Sequence, residues 1–195
     1  IAQNVHMDLT GTNPAGLAGA LGANITGSSD YKTFMLYLSE LALNQNINLD
    51  NPNDAYNKLE VSNSSIENKN SNTISGTKTA QVALAQENDI SNTRDKVKLT
   101  NSGVINLSGT NSTAIYGKFA EILNNTGANI TVGNSSAALY GTTNSKIENK
   151  GTIKLRANST GIYSEGDTAA GISGTYKGSV SNTGTIESNG KAIGV

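Results

Sequence analysis

The sequence predicts an all-β fold, specifically a right-handed parallel β-helix (a solenoid) with an α-helical cap at its N-terminal end. Three observations lead to this prediction: a phrase that recurs at a regular spacing, an alternation of apolar and polar residues inside each copy, and a front segment that does not repeat. A fixed period in the twenties is typical of solenoids, in which each repeat forms one coil. We assign residues 1–60 to the cap region and 61–195 to the coils.

The recurring phrase begins with an Asn-x-Gly pair. It reads NSGVINLSGTNSTAIYG in its first clear copy, and the following copies start 24, 24 and 33 residues further on. Gly can take a positive φ at a coil corner, and an Asn repeated at one place in successive coils can form a hydrogen-bonded ladder. We therefore expect a structural rather than a ligand-binding role for Asn101, Gly103, Asn125, Gly127, Asn149, Gly151, Asn182 and Gly184.

Inside each copy, apolar residues occur at every second position, which indicates short strands with one buried face. Three such strands fit into one period, so Ile105, Ile130 and Ile153 should lie in a single column. A lone coil cannot bury enough apolar surface to offset its loss of entropy, and stacked neighbours must supply ladder hydrogen bonds. The Leu-x-x-Leu-x-Leu pattern of leucine-rich repeats is missing, and the coils show no helical periodicity of 3.6.

Two interruptions divide the repeats. The step of 33 residues predicts an insert loop at 164–178, and residues 88–97 are expected to connect the first clear coil to an earlier one at about 60–84. Interrupted coils are where solenoids carry additional surface features. The insert is therefore our candidate ligand-contact loop, with Glu165, Asp167, Tyr176 and Lys177 as its candidate contacts.

The front segment shows a different pattern. Residues 30–44 place their large apolar side chains at helical spacing after a fitting N-cap at Ser29, which predicts an amphipathic helix that covers the exposed end of the coils. Shorter helices are expected at 13–22 and 52–58, the latter with Pro52 near its start.

The bulk composition narrows the possible partners. The formal net charge is -1 and the 14 basic residues are scattered singly, so no basic patch is available for nucleic acid. There is no Cys, and no apolar run approaches the roughly 18 residues that span a bilayer. The chain starts without Met, which we interpret as a piece of a longer protein.

Groups that could perform catalysis are few. The single His6 has no neighbouring Cys or carboxylate cluster, and Glu121, Glu148 and Glu187 fall at different phases of the repeat. We expect no enzymatic activity, no cofactor and no metal. Two alternatives stay open: a carbohydrate-active β-helix enzyme (polysaccharide lyase or hydrolase) whose acidic groups converge only in three dimensions, and a purely structural stalk.

Several stretches resemble one family. SDYKTFMLYLSELALN, NLDNPNDAYNKLEVSNSSIEN, TRDKVKLTNSGVINLSGTNSTAIYGKFAEI and NSTGIYSEGDTAAGI are similar to the passenger of the very large fusobacterial autotransporter adhesins, the RadD-like group. The resemblance runs from about Val5 to Val195, and it is more specific in the front and first coils than in the repeats.

That resemblance implies a virulence-associated, type V secreted protein on the cell surface, held in the outer membrane by a C-terminal barrel that this segment does not include. It implies cell adhesion and coaggregation, with a bacterial or host cell-surface protein or glycan as partner. The family defines no short binding motif, so no binding residue carries over. We expect this segment to be monomeric.

Overall fold

The computed structural model describes residues 6–9, 23–27, 34–37, 40–43, 46–52, 59–62, 64–88, 97–166 and 178–195. Every regular element in these ranges is a β-strand, so the described protein is all-β. In chain order the strands are β1 His6–Leu9, β2 Ala23–Gly27, β3 Phe34–Tyr37, β4 Glu40–Leu43, β5 Ile47–Asn48, β6 Leu59–Ser62, β7 Ser65–Asn68, β8 Thr73–Gly76, β9 Val82–Glu87, β10 Val97–Asn101, β11 Val104–Leu107, β12 Thr113–Lys118, β13 Ala120–Asn124, β14 Asn129–Val132, β15 Ala137–Thr142, β16 Lys146–Asn149, β17 Thr152–Leu155, β18 Thr160–Ser164, β19 Ser179–Asn182 and β20 Thr185–Ser188.

The strands form three long parallel sheets and one short pair. The first sheet has the order β1-β2-β4-β7-β10-β13-β16-β19, the second β5-β8-β11-β14-β17-β20, and the third β9-β12-β15-β18, while β3 pairs with β6. From β7 onwards the chain visits the first, second and third sheets in turn, so each circuit is one coil stacked on the previous one. The result is a solenoid-like stack, as the period in the sequence predicts.

One column of isoleucines runs through the second sheet. The strand pairing joins Ile74 to Ile105, Ile105 to Ile130, and Ile130 to Ile153. These four side chains are fully buried, and each burial stabilises the fold by roughly 1.5–3 kcal/mol. The predicted column of Ile105, Ile130 and Ile153 is therefore confirmed, and it extends to Ile47 at one end and Ile186 at the other.

The other two sheets close the core. Leu99, Ile122 and Ile147 are paired across the first sheet, and the third sheet brings its own aliphatic column against them. The column of the third sheet contains Leu84, Ile115, Leu139 and Ile162. All these side chains are at most 1% exposed, so the interior of the stack is a continuous aliphatic core.

The predicted amphipathic helix at 30–44 is wrong for the part of it that the structure describes. Residues 34–37 form β3, which pairs with β6, and residues 40–43 form β4, which pairs with β2 and β7. The apolar residues of this stretch lie at helical spacing, but pairing of β4 with both β2 and β7 supplies ladder hydrogen bonds that favour strands. The helices predicted at 13–22 and 52–58 lie outside the described residues, apart from Pro52.

The early coil predicted at about 60–84 is present as β7, β8 and β9. Most of the connecting segment predicted at 88–97 lies outside the described residues, although Val97 already belongs to β10. Within the described ranges, no helix has the length and apolar character needed to cross a membrane.

Candidate ligand-contact surface

A ladder of buried asparagine side chains runs along the first sheet, where each strand ends. Asn68 Nδ2 donates to Asn101 Oδ1 at 2.8 Å, and Asn101 Nδ2 donates to Asn124 Oδ1 at 2.9 Å. The pattern continues from Asn124 to Asn149 and from Asn149 to Asn182, both at 2.8 Å. These five residues are the ladder asparagines. Four of them are fully buried, so their amides must find partners inside the stack, and the neighbouring rung supplies them.

Asn125 is not a rung of this ladder, contrary to the sequence prediction. The strand pairing places Asn124 opposite both Asn101 and Asn149, whereas the Asn125 side chain lies in the turn and accepts a hydrogen bond from Thr126 N at 3.0 Å. Asn124 and Asn125 are adjacent in sequence, and successive side chains of a strand point to opposite faces. Only Asn124, which is on the buried face, can reach the next coil.

The role predicted for the glycines also needs correction. Gly103, Gly151 and Gly184 do not take a positive φ; instead, a Cβ at Gly151 would lie 2.4 Å from the carbonyl oxygen of Ala128 in the preceding coil. A Cβ at Gly103 would meet Asn72 O at 2.4 Å, and one at Gly184 would meet Gly151 O at 2.1 Å. Glycine is required here because two backbones approach closely.

Gly127 is different from these three. It has a φ of 82° and a Cβ there would have open space around it, while the pairing register puts Ala128, not Gly127, level with Gly103 and Gly151. The turn after Asn124 is two residues longer than the turn after Asn149, because Asn124 precedes Ile130 by six positions and Asn149 precedes Ile153 by four. Gly127 occupies the additional length.

A second ladder uses serine hydroxyls at another corner of the coil. Ser112 N donates to Ser136 Oγ at 3.0 Å, and Ser136 N donates to Ser159 Oγ at 3.2 Å. Ser159 Oγ in turn donates to Gly133 O at 2.7 Å in the preceding coil. Buried hydroxyls thus complete backbone hydrogen bonding where the strand ladder is interrupted at the corner.

A column of tyrosines stands on the outward face of the third sheet. The pairing aligns Tyr116 with Tyr140 and Tyr140 with Tyr163. The rings of Tyr116 and Tyr140 meet edge to face with centroids 5.6 Å apart, and those of Tyr140 and Tyr163 with centroids 4.8 Å apart. Such aromatic pairs add about 0.5–1.5 kcal/mol beyond simple burial. Tyr163 remains 45% exposed, so its ring is available for contact.

The environment of the tyrosines differs along the column. Partial burial raises the pKa of Tyr116 above its usual value, and the nearby carboxylate of Glu87 adds to the increase. The Tyr116 hydroxyl lies 3.2 Å from Glu87 Oε1. Burial also raises the pKa of Tyr140, with a contribution from Glu165. Both phenols are therefore neutral hydrogen-bonding groups at physiological pH.

A groove of about 280 Å³ lies beside this column. Tyr140 and Tyr163 line it, together with the exposed corner residues Asn111, Ser135 and Asn158. The corner residues have φ values of 55°, 53° and 60°, a backbone conformation that Asn tolerates better than most residues. Between corner and tyrosine, the groove includes Thr113, Ala137 and Thr160, which are aligned by the strand pairing.

The candidate contacts predicted in the insert loop are only partly described. Glu165 is exposed, and its backbone N–H donates to Gly141 O at 2.9 Å. Asp167, Tyr176 and Lys177 lie outside the described residues, so their role stays a prediction.

The three glutamates singled out in the sequence, Glu121, Glu148 and Glu187, do not form a column. Glu121 pairs with Lys146, and Glu148 pairs with Leu123, whereas Glu187 belongs to the second sheet opposite Lys154. In the part of the chain that the structure describes, no group of three or more His, Cys, Asp or Glu residues could hold a metal ion. His6 is in β1, where the structure defines the backbone pairing with β2.

The sequence analysis did not identify the groove. The pattern that could have indicated it is the recurrence of Asn-Ser or Ser-Ser five residues before each Tyr. No protein-family model matches the chain, and neither the curated proteins nor the solved structures contain a significantly similar one.

Proposed function

We propose that this chain is a non-enzymatic adhesive segment of a surface-exposed autotransporter passenger, which attaches its cell to other bacteria or to host cells. The observation that supports the proposal is that each coil has a buried side, which stabilises the stack, and an outward side, which faces solvent. Buried Ile and Asn columns hold the stack, while the outward faces are left free to present contact groups such as Tyr163. Solenoids of this kind offer long surfaces suited to binding extended or repeated ligands.

The proposal includes details of architecture. We infer a right-handed coil, because connections between parallel strands of one sheet are right-handed in about 98% of cases. The parent protein would be anchored in the outer membrane, with this segment on the extracellular side as a monomer. Stacked side chains of the same charge would repel one another and destabilise the coils. In the first sheet Lys98, Glu121 and Lys146 are stacked with alternating sign, which avoids this repulsion.

Attachment of cells to immobilised protein tests the proposal. Beads coated with the 195-residue chain should bind bacterial or epithelial cells above the level of beads coated with albumin. A variant lacking residues 165–177 tests whether the insert loop takes part, and Lys154→Ser on the opposite sheet is the matched surface control. Failure of the unmodified chain to bind any cell of either class would reject an adhesive function and leave the segment a spacer.

A further inference from the structure

We propose that the groove beside Tyr140 and Tyr163 binds a neutral oligosaccharide with repeating units, lying along the axis of the stack. This inference rests on the proposed adhesive function, and it names the class of ligand. Three successive coils each give the groove a corner amide or hydroxyl and one of the aligned residues Thr113, Ala137 and Thr160, and two of the coils add a tyrosine. Because parallel coils repeat about every 4.8 Å, a polymer with repeating units would meet equivalent groups along its length.

Charge is the first argument for a neutral ligand. None of the residues that line the groove is charged at neutral pH. Two carboxylates act on the tyrosine column: Glu87, which is engaged by the Tyr116 hydroxyl and lies 3.8 Å from Lys118 Nζ, and Glu165, which contributes to the raised pKa of Tyr140 but does not line the groove. An anionic or cationic ligand would lose hydration without gaining a counter-charge, which is costly.

The two tyrosines supply the apolar part of a sugar site. The rings of Tyr140 and Tyr163 are fixed by their edge-to-face contact, and Tyr163 keeps nearly half of its surface exposed. Tyrosine gives a large, rigid contact area at low cost in conformational entropy, with a hydroxyl at its tip. The C–H face of a pyranose ring is a suitable partner for such a surface.

The corner residues supply the polar part. Asn111 and Asn158 are exposed, and their side-chain amides make no hydrogen bond to any residue that the structure describes. Each amide offers donors and an acceptor, which match sugar hydroxyls that both donate and accept. Convergent neutral polar groups beside an aromatic surface are typical of sites that orient a small ligand.

Size and topology argue against a protein or a peptide. At about 280 Å³ the groove is near the lower end of ligand pockets, whereas a stable protein interface needs about 800 Å² from each partner. A peptide would bind best by adding a strand to a free edge, yet β15 is paired on both sides, and β18 at the end of the sheet already donates from Gly161 and Ile162 N–H to the carbonyl oxygens of residues 193 and 194. The groove therefore offers side chains but no free backbone edge along β15.

The test is a titration of the 195-residue chain with defined hexasaccharides. The neutral probes are maltohexaose, cellohexaose, the N-acetylglucosamine hexamer and a galactan hexamer, and the anionic probe is hexagalacturonate. We expect at least one neutral probe to bind with a Kd of about 1 mM or tighter. Tyr163→Ala and Tyr140→Ala should each weaken that binding about tenfold or more. Tyr116→Ala, in the same column but outside the groove, should change it less than about twofold.

A second set of measurements keeps the test valid if the tyrosine variants do not fold. Asn158→Gly keeps the left-handed backbone and removes the amide, so it should weaken binding about threefold or more without disturbing the coil. In the unmodified protein, the ring resonances of Tyr163 should shift on addition of the neutral probe. The proposal is overturned if no neutral probe binds, if hexagalacturonate binds more tightly, or if Tyr116→Ala is as damaging as Tyr163→Ala.

The two proposals can fail separately. If none of the neutral probes binds and cells attach to the chain equally well in their presence, the adhesive function stands and the proposal of a sugar-binding groove is rejected. Binding of a probe without attachment of any cell would reject the adhesive function and leave the groove.

Discussion

The turns after Asn124 and Asn149 begin from the same buried rung and lead to the same isoleucine column, yet they differ by two residues. The longer turn extends into solvent at Gly127, whereas the shorter one passes close to the preceding coil at Gly151. The strands on either side keep one register in both cases. Register is therefore set by the buried amide and the buried isoleucine, and the turn adapts its length to them.

The largest effect is expected where the ladder itself is broken. Asn124→Ala removes one rung and takes a partner from two buried groups: one N–H of Asn101 Nδ2, which keeps its hydrogen bond to Gly103 O, and the Oδ1 acceptor of Asn149. At roughly 1–3 kcal/mol for each of these two groups, the free energy of unfolding should fall by about 2–6 kcal/mol. Chemical denaturation followed by circular dichroism measures it.

Asn125→Ala is the matched control for this change, because it removes the same side chain one position further along. It should lower the free energy of unfolding by less than about 1 kcal/mol. Equal losses in the two variants would show that the amide ladder does not set the register.

The next effect concerns the close approach at the shorter turn. Gly151→Ala brings a Cβ within 2.4 Å of Ala128 O, so one of the two coils must move. We expect a loss of about 1–3 kcal/mol in the free energy of unfolding, measured by the same denaturation. Gly127→Asn should cost less than about 1 kcal/mol, since Asn tolerates a left-handed backbone and Ser71 already adopts a φ of 69° in the corresponding turn. A larger loss from Gly127→Asn than from Gly151→Ala would contradict the close-approach explanation.

A pair of deletions sharpens the comparison of lengths. Removing Thr126 and Ala128 leaves Asn125-Gly127 in the turn, which gives it the length and the glycine of the shorter one while keeping Asn124 and Ile130, so the cost should stay within about 1 kcal/mol. Removing Leu123 and Asn124 shortens the coil equally but takes away the rung, and it should cost several times more. Thermal unfolding of both variants at equal concentration decides between them, and similar melting temperatures would refute the prediction.

The smallest effect is expected at a turn where a carboxylate joins two coils. Asp50 accepts hydrogen bonds from the Thr77 hydroxyl and from the backbone N–H groups of Thr77 and Lys78, which lower the pKa of its carboxyl from 3.8 to about 2. A lowered folded-state pKa means that this contact contributes fully above about pH 3.8 and is lost as the pH falls through about 2.

The amide resonances of Thr77 and Lys78 should follow that titration, and Asp50→Asn should abolish it. Titration of these resonances at the ordinary carboxyl pKa would instead show that Asp50 does not hold the turn.

The sequence predicts the stack well where buried residues alternate regularly, as with Ile105, Ile130 and Ile153. It places one rung wrongly because Asn124 and Asn125 are identical residues, and only the inward phase of β13 distinguishes them. It assigns a helix to 30–44 because short strands can carry apolar residues at helical spacing, and the pairing partners of β3 and β4 are distant in sequence. The groove was missed because it depends on the alignment of corners from separate coils, which only the recurrence of Asn-Ser or Ser-Ser five residues before each Tyr indicates.

The asparagine column also has a direction. The first four of its five side-chain amides donate to the next rung towards the C-terminal side, so its two ends are chemically unlike. At one end Asn68 Oδ1 is buried without a hydrogen-bond partner among the described residues, and the strand pairing places the hydrocarbon side chain of Leu43 opposite Asn68. At the other end Asn182 is exposed and can be joined only by a strand that presents an acceptor. The asparagine ladder is thus polar, and it ends at Asn68 although the first sheet continues beyond that residue through β4, β2 and β1.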